Sequence, residues 1–391
     1  MPQSRVEPAP DSPKKRVVFH FPLRAGPWSE IVRGAYRYAD RHTPWLITLL
    51  TDERFDAARG WKPDGVIAMV RTAEVAKKLA AWGGPVVDTA CDLDDLPFAR
   101  VRLDPEAIGG LAAEHLSRLP CRTFAFVGDV KTPAGRRSRD GFFQRLRKAG
   151  HAGLTAPDAI GNEPYRVVRG AARIAAEWIR NLPVPVAIFC AHDALALRMS
   201  EACQLAERRV PEDVAILGTL NDEFLCTAAQ PAISSIECPL AMVGYEAARV
   251  LDAWMSGRRP PRQPVELPPV GVVARLSTDA TVVADPGVRA ALQFIRNHYA
   301  ERIGVERIVA SSGLSRSTLE RRFKDLLGHG PLGELLLHRL GQARHLLVQT
   351  ELPVKKIARS AGFHDTRHLS SMFRQKLGIS PSEFRRHNRP S

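Results

Sequence analysis

Two stretches near the carboxyl end of the chain are copies of one pattern. "IVASSGLSRSTLERRFKDLLGHGP" begins at Ile308 and "IARSAGFHDTRHLSSMFRQKLGISP" at Ile357. Each places a glycine five residues after its isoleucine, Gly313 and Gly362. Each then sets leucine, phenylalanine and leucine four apart: Leu319, Phe323 and Leu327, then Leu369, Phe373 and Leu377. A spacing of four recurs along one stripe of an α-helix, so these side chains seat a helix against a core. Ser315 and Asp365 stand where N-caps belong. Gly328 with Pro331, and Gly378 with Pro381, stand where the helices stop. Each copy reads as helix, turn, helix, the second with one more residue in its turn. Such a duplication constrains this region to an all-helical domain carrying two helix-turn-helix units.

The stripe leaves a polar face on each second helix. In the first copy it holds Arg316, Ser317, Glu320, Arg321 and Lys324, and in the second Thr366, Arg367, His368, Ser371 and Arg374. These side-chain types read base edges in a major groove, and lysine and arginine also neutralise phosphates. The formal net charge is +14 with an isoelectric point near 9.9, and the C-terminal quarter carries most of it. That location points to a polyanion, most simply double-stranded DNA. The stretch 333–350, "GELLLHRLGQARHLLVQT", reads as one helix joining the copies. At 1.5 Å per residue it spans roughly 27 Å, close to a duplex turn of about 34 Å. Two recognition helices are therefore expected to enter successive major grooves on one DNA face. The competing reading is a helical interaction domain with a solvated basic face.

The first 280 residues follow a different rhythm. Apolar runs at 16–21, 45–50, 65–70, 85–90, 123–128, 185–191 and 214–219 alternate with amphipathic stretches at 29–42, 72–82, 106–119, 137–149 and 193–207. "ARVRLD" at 99–104 joins the series, and "VGVVARLST" reads as its last strand. Alternation of this kind predicts βαβ units and parallel sheets covered on both faces. About 260 residues exceed what one sheet needs, so two lobes with a cleft between them are expected. The expected organisation is a loose tail over 1–14, a sensor over 15–278, a linker over 279–287 and a helical domain over 288–388.

Several function classes are disfavoured. There is no GxGxxG after the first strand, no phosphate-binding GxxxxGK[ST], no nucleophile elbow and no metal-ligand spacing. No catalytic residue, cofactor or metal is therefore assigned, and an enzyme on doubly wound lobes is the weaker alternative. The six cysteines include no CxxC and read as buried thiols in a reducing compartment. No apolar run reaches the length of a membrane span. The polar, proline-rich start lacks an apolar signal core. A cytoplasmic protein without membrane partners is the expectation, and a transport-type binding protein is disfavoured.

Residues 288–388, through "GLSRSTLERRF", "RLGQARHLL", "PVKKIARSAGF" and "LGISPSEFRR", resemble the DNA-binding domain of the AraC/XylS family of transcription regulators. The resemblance implies one reader made of two units, with base-reading positions at Ser317, Glu320, Arg321, Thr366, Arg367 and Ser371. The region before it, through "CAHDALALRMSEACQLAERRVPEDVAILGTLND", "VRLDPEAIGGLAAEHL", "RSRDGFFQRL" and "VGYEAARVL", is similar to LacI-type sensor domains. The combination is similar to the xylose operon regulator family. The fold class implied is an α/β two-lobed, periplasmic-binding-protein-like (type I) sensor followed by an all-α double helix-turn-helix domain. The partners implied are promoter or operator DNA, a small-molecule effector such as a pentose, RNA polymerase for an activator, and a second copy in a homodimer.

The sensor resemblance also carries over effector positions singly. Arg139 matches an arginine that donates to sugar hydroxyls, a role suited to its rigid fork. The alternative is an ion pair with Asp140. Asp193 matches an acidic cleft position but equally suits a helix N-cap. His192 reads as a polar contact or a core histidine, and Trp28 as a stacking surface or loop packing. Two departures stand out. "GTLND" puts Leu220 where the pattern has a hydroxyl-accepting aspartate, leaving Asn221 and Asp222. "RAGPWS" replaces the usual motif after the first strand. Loss of a charged hydrogen bond costs about 1.5–3 kcal/mol. The departures therefore also admit a different sugar, a less hydroxylated effector, or none.

Overall fold

In the computed structural model, residues 14–21, 28–51, 62–161, 170–278, 285–327 and 329–388 are described. The tail up to residue 13, most of the expected linker (279–284), the helix stop at Gly328 and most of "RAGPWS" lie outside them.

Two six-stranded sheets form before residue 280. In chain order the elements are β1 (Arg16–His20), α1 (Ser29–His42), β2 (Leu46–Leu50), β3 (Gly65–Ala68), α2 (Ala73–Trp82), β4 (Val86–Asp88), β5 (Ala99–Leu103), α3 (Pro105–Leu116), β6 (Thr123–Val127), α4 (Pro133–Lys148), β7 (Gly153–Thr155), α5 (Asp158–Gly161) and α6 (Ala171–Arg180). There follow β8 (Val186–Cys190), α7 (Asp193–Leu205), β9 (Val214–Leu220), α8 (Glu223–Ala228), β10 (Ser234–Glu237), α9 (Leu240–Met255), β11 (Val265–Leu267) and β12 (Gly271–Val273). The first sheet runs β11-β5-β4-β3-β1-β2 and the second β12-β10-β9-β8-β6-β7. Pairing within β6 to β10 is parallel, and β12 returns antiparallel to β10. Every residue of β3, β8 and β9 is buried, as strands covered on both faces must be.

The chain divides into two compact units. One comprises 1–102 with 240–266, and the other 103–239 with 267–391. In the second unit, Asp104 accepts from the backbone N–H groups of Glu106 and Ala107 and starts α3, with Pro105 at the first helical position. Thr132 and Pro133 start α4 in the same way, four residues before the expected helix. The two helices cross closely. A Cβ on Gly109 would fall 2.0 Å from the Ser138 carbonyl oxygen, so the glycine pair in α3 marks tight packing at its first member. Gly110 has open space.

The remaining helices are α10 (Pro286–His298), α11 (Val305–Ser312), α12 (Arg316–Leu327), α13 (Pro331–Gln349), α14 (Val354–Ser360), α15 (Thr366–Leu377) and α16 (Pro381–Asn388). Helix α10 begins two residues ahead of Val288, because Asp285 caps it and Pro286 takes its first position. The repeat builds two cores. Val288, Leu292, Ile308, Leu319 and Phe323 pack with Leu335 from the front of α13. Ile357, Leu369, Phe373 and Phe384 pack with Leu340, Ala343 and Leu347 from its rear. The long helix thus seals one core at each end. Its 19 residues span about 28 Å.

Candidate effector edge and nucleic-acid interface

The carboxyl ends of β8 and β9 and the second residue of β10 meet around one carboxyl group. Asp193 opens α7 and is 1 % exposed. Its Oδ1 accepts from the Ser235 hydroxyl at 2.5 Å, and its Oδ2 from the Asp222 N–H at 2.7 Å. Gly218 leaves room for it, since a Cβ there would lie 2.2 Å from Oδ1. Burial pushes its pKa up to about 7, with the Ser235, Asp222 and Cys226 hydrogen bonds pulling the other way. The carboxyl therefore braces the loop after β9 to β10. Of the two readings of Asp193, the N-cap one does not describe it: the cap position is His192, and no side chain caps α7. His192 is half-buried, and its carbonyl accepts from Leu195 and Ala196.

The loop that Asp193 holds is unusual in its backbone. Leu220 has φ +94° and Asn221 φ +55°. A positive φ is uncommon outside glycine and stores strain, above all in a bulky residue. Leu220 is buried and brings no polar atom to the edge. Asn221 receives 2.8 Å from an Arg275 Nη2 donor at its side-chain oxygen, and its N–H donates to the Ser235 oxygen at 3.0 Å. Ser235 and Arg275 thus share the work of Asp193 and Asn221. Neither stands out in the sequence, because Ser235 sits in the short, polar β10 and Arg275 follows the last strand. Phe224, beside the cluster on α8, is 79 % exposed.

The other expected effector residues are placed separately. Arg139, half-buried on α4, donates through Nε and Nη2 to Asp140 Oδ1 at 2.9 and 2.8 Å. The ion pair weighed as its alternative is therefore present. Trp28, half-buried in the other unit, precedes α1, and its carbonyl accepts from Ile31. Of the five positions, His192, Asp193 and Asn221 lie together at one strand edge.

In the helical region both expected caps form. Ser315 Oγ accepts from the Thr318 N–H and Asp365 from the His368 N–H. Gly313 and Gly362 make the turns with φ +67° and +79°, the left-handed conformation that glycine tolerates. Leu319, Phe323, Leu369 and Phe373 are fully buried. Opposite that stripe, Arg316, Ser317, Glu320, Arg321 and Lys324 are exposed on α12, as are Arg367, Ser371 and Arg374 on α15. Thr366 and His368 are half-buried. The His368 ring packs edge-on to Phe363 at 5.3 Å.

The charges on this face are not equivalent. Arg316 Nε donates to Glu320 at 2.9 Å, so that pair partly cancels. Arg321, Lys324, Arg367 and Arg374 have no ion pair among the described residues. Arg322, next to Arg321, instead turns inward to Asp285. Two capped helices with free cations, each on its own core and both on α13, can hold phosphates and offer forked donors to guanine.

Comparison with known proteins agrees with both halves. Residues 88–278 match the periplasmic binding protein-like domain, and residues 308–387 a helix-turn-helix domain. The xylose operon regulatory protein of Escherichia coli (strain K12) is 29% identical over 373 residues, covering 91% of this chain and 93% of its own. The HTH-type transcriptional activator RhaS of Escherichia fergusonii is 39% identical over 94 residues, 24% of this chain and 34% of its own. A solved structure of the xylose-binding transcription activator xylR aligns with TM-score 0.62 and 26% identity, covering 96% of this chain and 98% of that one.

Proposed function

Because the chain is a DNA-binding transcription regulator that joins a periplasmic-binding-protein-like sensor to an AraC-type double helix-turn-helix domain, we propose that it switches transcription in response to a sugar held at the carboxyl ends of the sensor strands. The observation that carries this reading is the pair of capped, cationic helices α12 and α15 on the same chain as a sensor sheet whose strand ends gather polar groups. In this reading Arg321, Lys324, Arg367 and Arg374 contact DNA directly, with Arg316, Ser317, Glu320, Thr366, His368 and Ser371 at the margins. Arg139 leaves Asp140 to donate to effector hydroxyls. Asn221 and His192 contribute contacts, while Asp193 holds the edge in shape. The chain acts as a homodimer in the cytoplasm and activates through RNA polymerase.

The relatives named for xylose make pentoses the first effectors to try. One observation favours a less hydroxylated effector: Leu220 supplies no acceptor, and the oxygens of Asp193 and Asn221 are already engaged. The test has two parts. Fluorescence anisotropy with a duplex selected by the full chain from a random pool should give salt-sensitive binding. Its absence would reject the regulator reading. A thermal-shift screen of pentoses, hexoses and their acids should find one stabilising compound, followed by calorimetry on Arg139→Ala. Unchanged affinity in that variant would remove Arg139 from the site.

A further inference from the structure

Glu237 ends β10 and is 4 % exposed. An isolated carboxylate buried this deeply would be costly, and a partner for it comes from the reader. Its Oε1 lies 3.2 Å from Nδ1 of His345 on α13. The neighbouring Arg344 on the same helix is half-buried, with its Nε out of solvent, and is drawn to Glu237 electrostatically. The Arg344 guanidinium packs where any other residue at position 271 would place its side chain: a Cβ on Gly271 would fall 1.9 Å from Nη2. It also lies over the Phe384 ring, 5.6 Å from its centre. Val270, whose N–H donates to the Glu237 carbonyl at 2.8 Å, belongs to the core of the second helix-turn-helix unit. A carboxylate, a glycine and a valine from the β10–β12 edge thus meet an arginine, a histidine and a core from the reader.

The same edge leads to the strained loop. Glu237 is the register partner of Leu220 on β9 and of Gly271 on β12. Ser235, two residues earlier on β10, receives the Asn221 N–H, and Arg275, just after β12, donates to the Asn221 side chain. Any change in the Leu220–Asn221 backbone therefore pulls on both strands that carry the contact. An element with two arrangements, biased at one end and read at the other, is what coupling between sites requires.

We propose that Glu237, His345 and Arg344 form a latch through which the sensor holds the linker helix α13, and that effector binding at the Leu220–Asn221 edge acts on DNA by loosening or tightening it. The groups acting on His345 are Glu237 and Glu223, which favour its charged form, and Arg275, which opposes it. Arg344 is the other cation at the contact. The latch belongs to the full chain and exists whether or not DNA is present. Only its effect on DNA rests on the regulator reading.

Hydrogen exchange on the full chain tests the latch without DNA. Glu237→Gln removes the charge and keeps the shape. His345→Ala removes the partner from a half-buried site and is the second variant should the first fold poorly. Exchange should rise about tenfold or more in segments 267–275 and 338–349 of each variant, with α3, α4 and β8 unchanged. Exchange equal to wild type in both variants, or raised throughout the chain, overturns the proposal. Anisotropy on the selected duplex then reads the consequence. Each single variant should shift affinity in the same direction, and the double variant no further than the larger single shift, as coupled residues do. Unchanged or additive shifts on a duplex that the wild type binds reject the latch and leave the regulator reading standing.

Discussion

Arg339, in the middle of α13, donates from Nε to the Tyr299 carbonyl at 2.8 Å and from Nη2 to the Glu301 carbonyl at 2.7 Å. Tyr299 is the C-cap of α10, where a helix has acceptors without partners of its own, and Glu301 lies in the turn just beyond it. Arg339 is 8 % exposed, so water does not easily replace it. The arginine ties the first helix-turn-helix unit to the helix that carries the second. Arg339→Met keeps much of the stem and removes the donors. It should cost about 2–3 kcal/mol of stability, since buried groups left unpaired cost about 1–3 kcal/mol. It should also weaken binding to a duplex with both half-sites more than to either half-site alone. Equal losses on all three duplexes would show that the arginine does not set the spacing.

Arg321 and Arg322 are adjacent in sequence but face different ways. Arg321 is exposed on α12, while Arg322 pairs with Asp285, which also caps α10. Arg321→Ala should leave the melting temperature unchanged and cost about 1–3 kcal/mol at one base position. A loss of similar size on every sequence would mean that it meets phosphate only. Arg322→Ala should do the reverse. It leaves a nearly buried carboxylate without its cation, lowers the melting temperature, and weakens all duplexes alike through the misplaced helix.

The fold was legible wherever burial wrote a period into the sequence. The fully buried β8 and β9 gave continuous apolar runs, and the α12 and α15 stripes repeated every four residues. Among the elements that the period did not reveal are β7, exposed throughout, the serine-rich β10 and the three-residue β11, together with the helices α5, α6, α8 and α9. The candidate site was legible in part for a related reason. His192, Asp193 and Asn221 follow strand ends and announce themselves by position. Their partners Ser235, on β10, and Arg275, just after β12, are brought alongside only by strand pairing, 42 residues from Asp193 and 54 from Asn221. The inward turn of Arg322 and the role of Glu237 likewise depend on contacts between elements distant in sequence.

The carboxyl of Asp193 makes the sensor sensitive to pH. Its pKa is raised from the ordinary 3.8 to about 7 by burial, so the folded state keeps a proton that the unfolded chain has released. Stability from this group is therefore lost as pH rises from about 4 to about 7, and the loss is complete above that. Asp193→Asn is neutral throughout and can still accept from Asp222 and donate to Ser235. Melting temperatures at pH 5 and pH 7.5 should differ less in the variant than in the wild type. Part of the slope should remain, because Asp88 is raised to about 7 by the same cause. An unchanged slope would mean that Asp193 is ionised in the fold across this range.

The turn glycines of the two repeats are equivalent in sequence and inequivalent in place. Gly313 and Gly362 both adopt positive φ, +67° and +79°. An added Cβ costs about 1–2 kcal/mol in that conformation wherever it occurs. At Gly313 nothing stands within 4 Å of that Cβ, so Gly313→Ala should lose only this amount. At Gly362 the Cβ would lie 2.1 Å from the Tyr299 carbonyl oxygen and 2.7 Å from Arg339 Nε. Gly362→Ala must therefore also push the second turn away from the end of α10 and disturb the arginine that joins the two units. It should destabilise by clearly more than Gly313→Ala in chemical denaturation, and should reproduce the loss of two-half-site binding expected of Arg339→Met. Equal destabilisation by the two alanines would mean that the second turn does not rest against α10, and the rigid spacing of the readers would have to come from α13 alone.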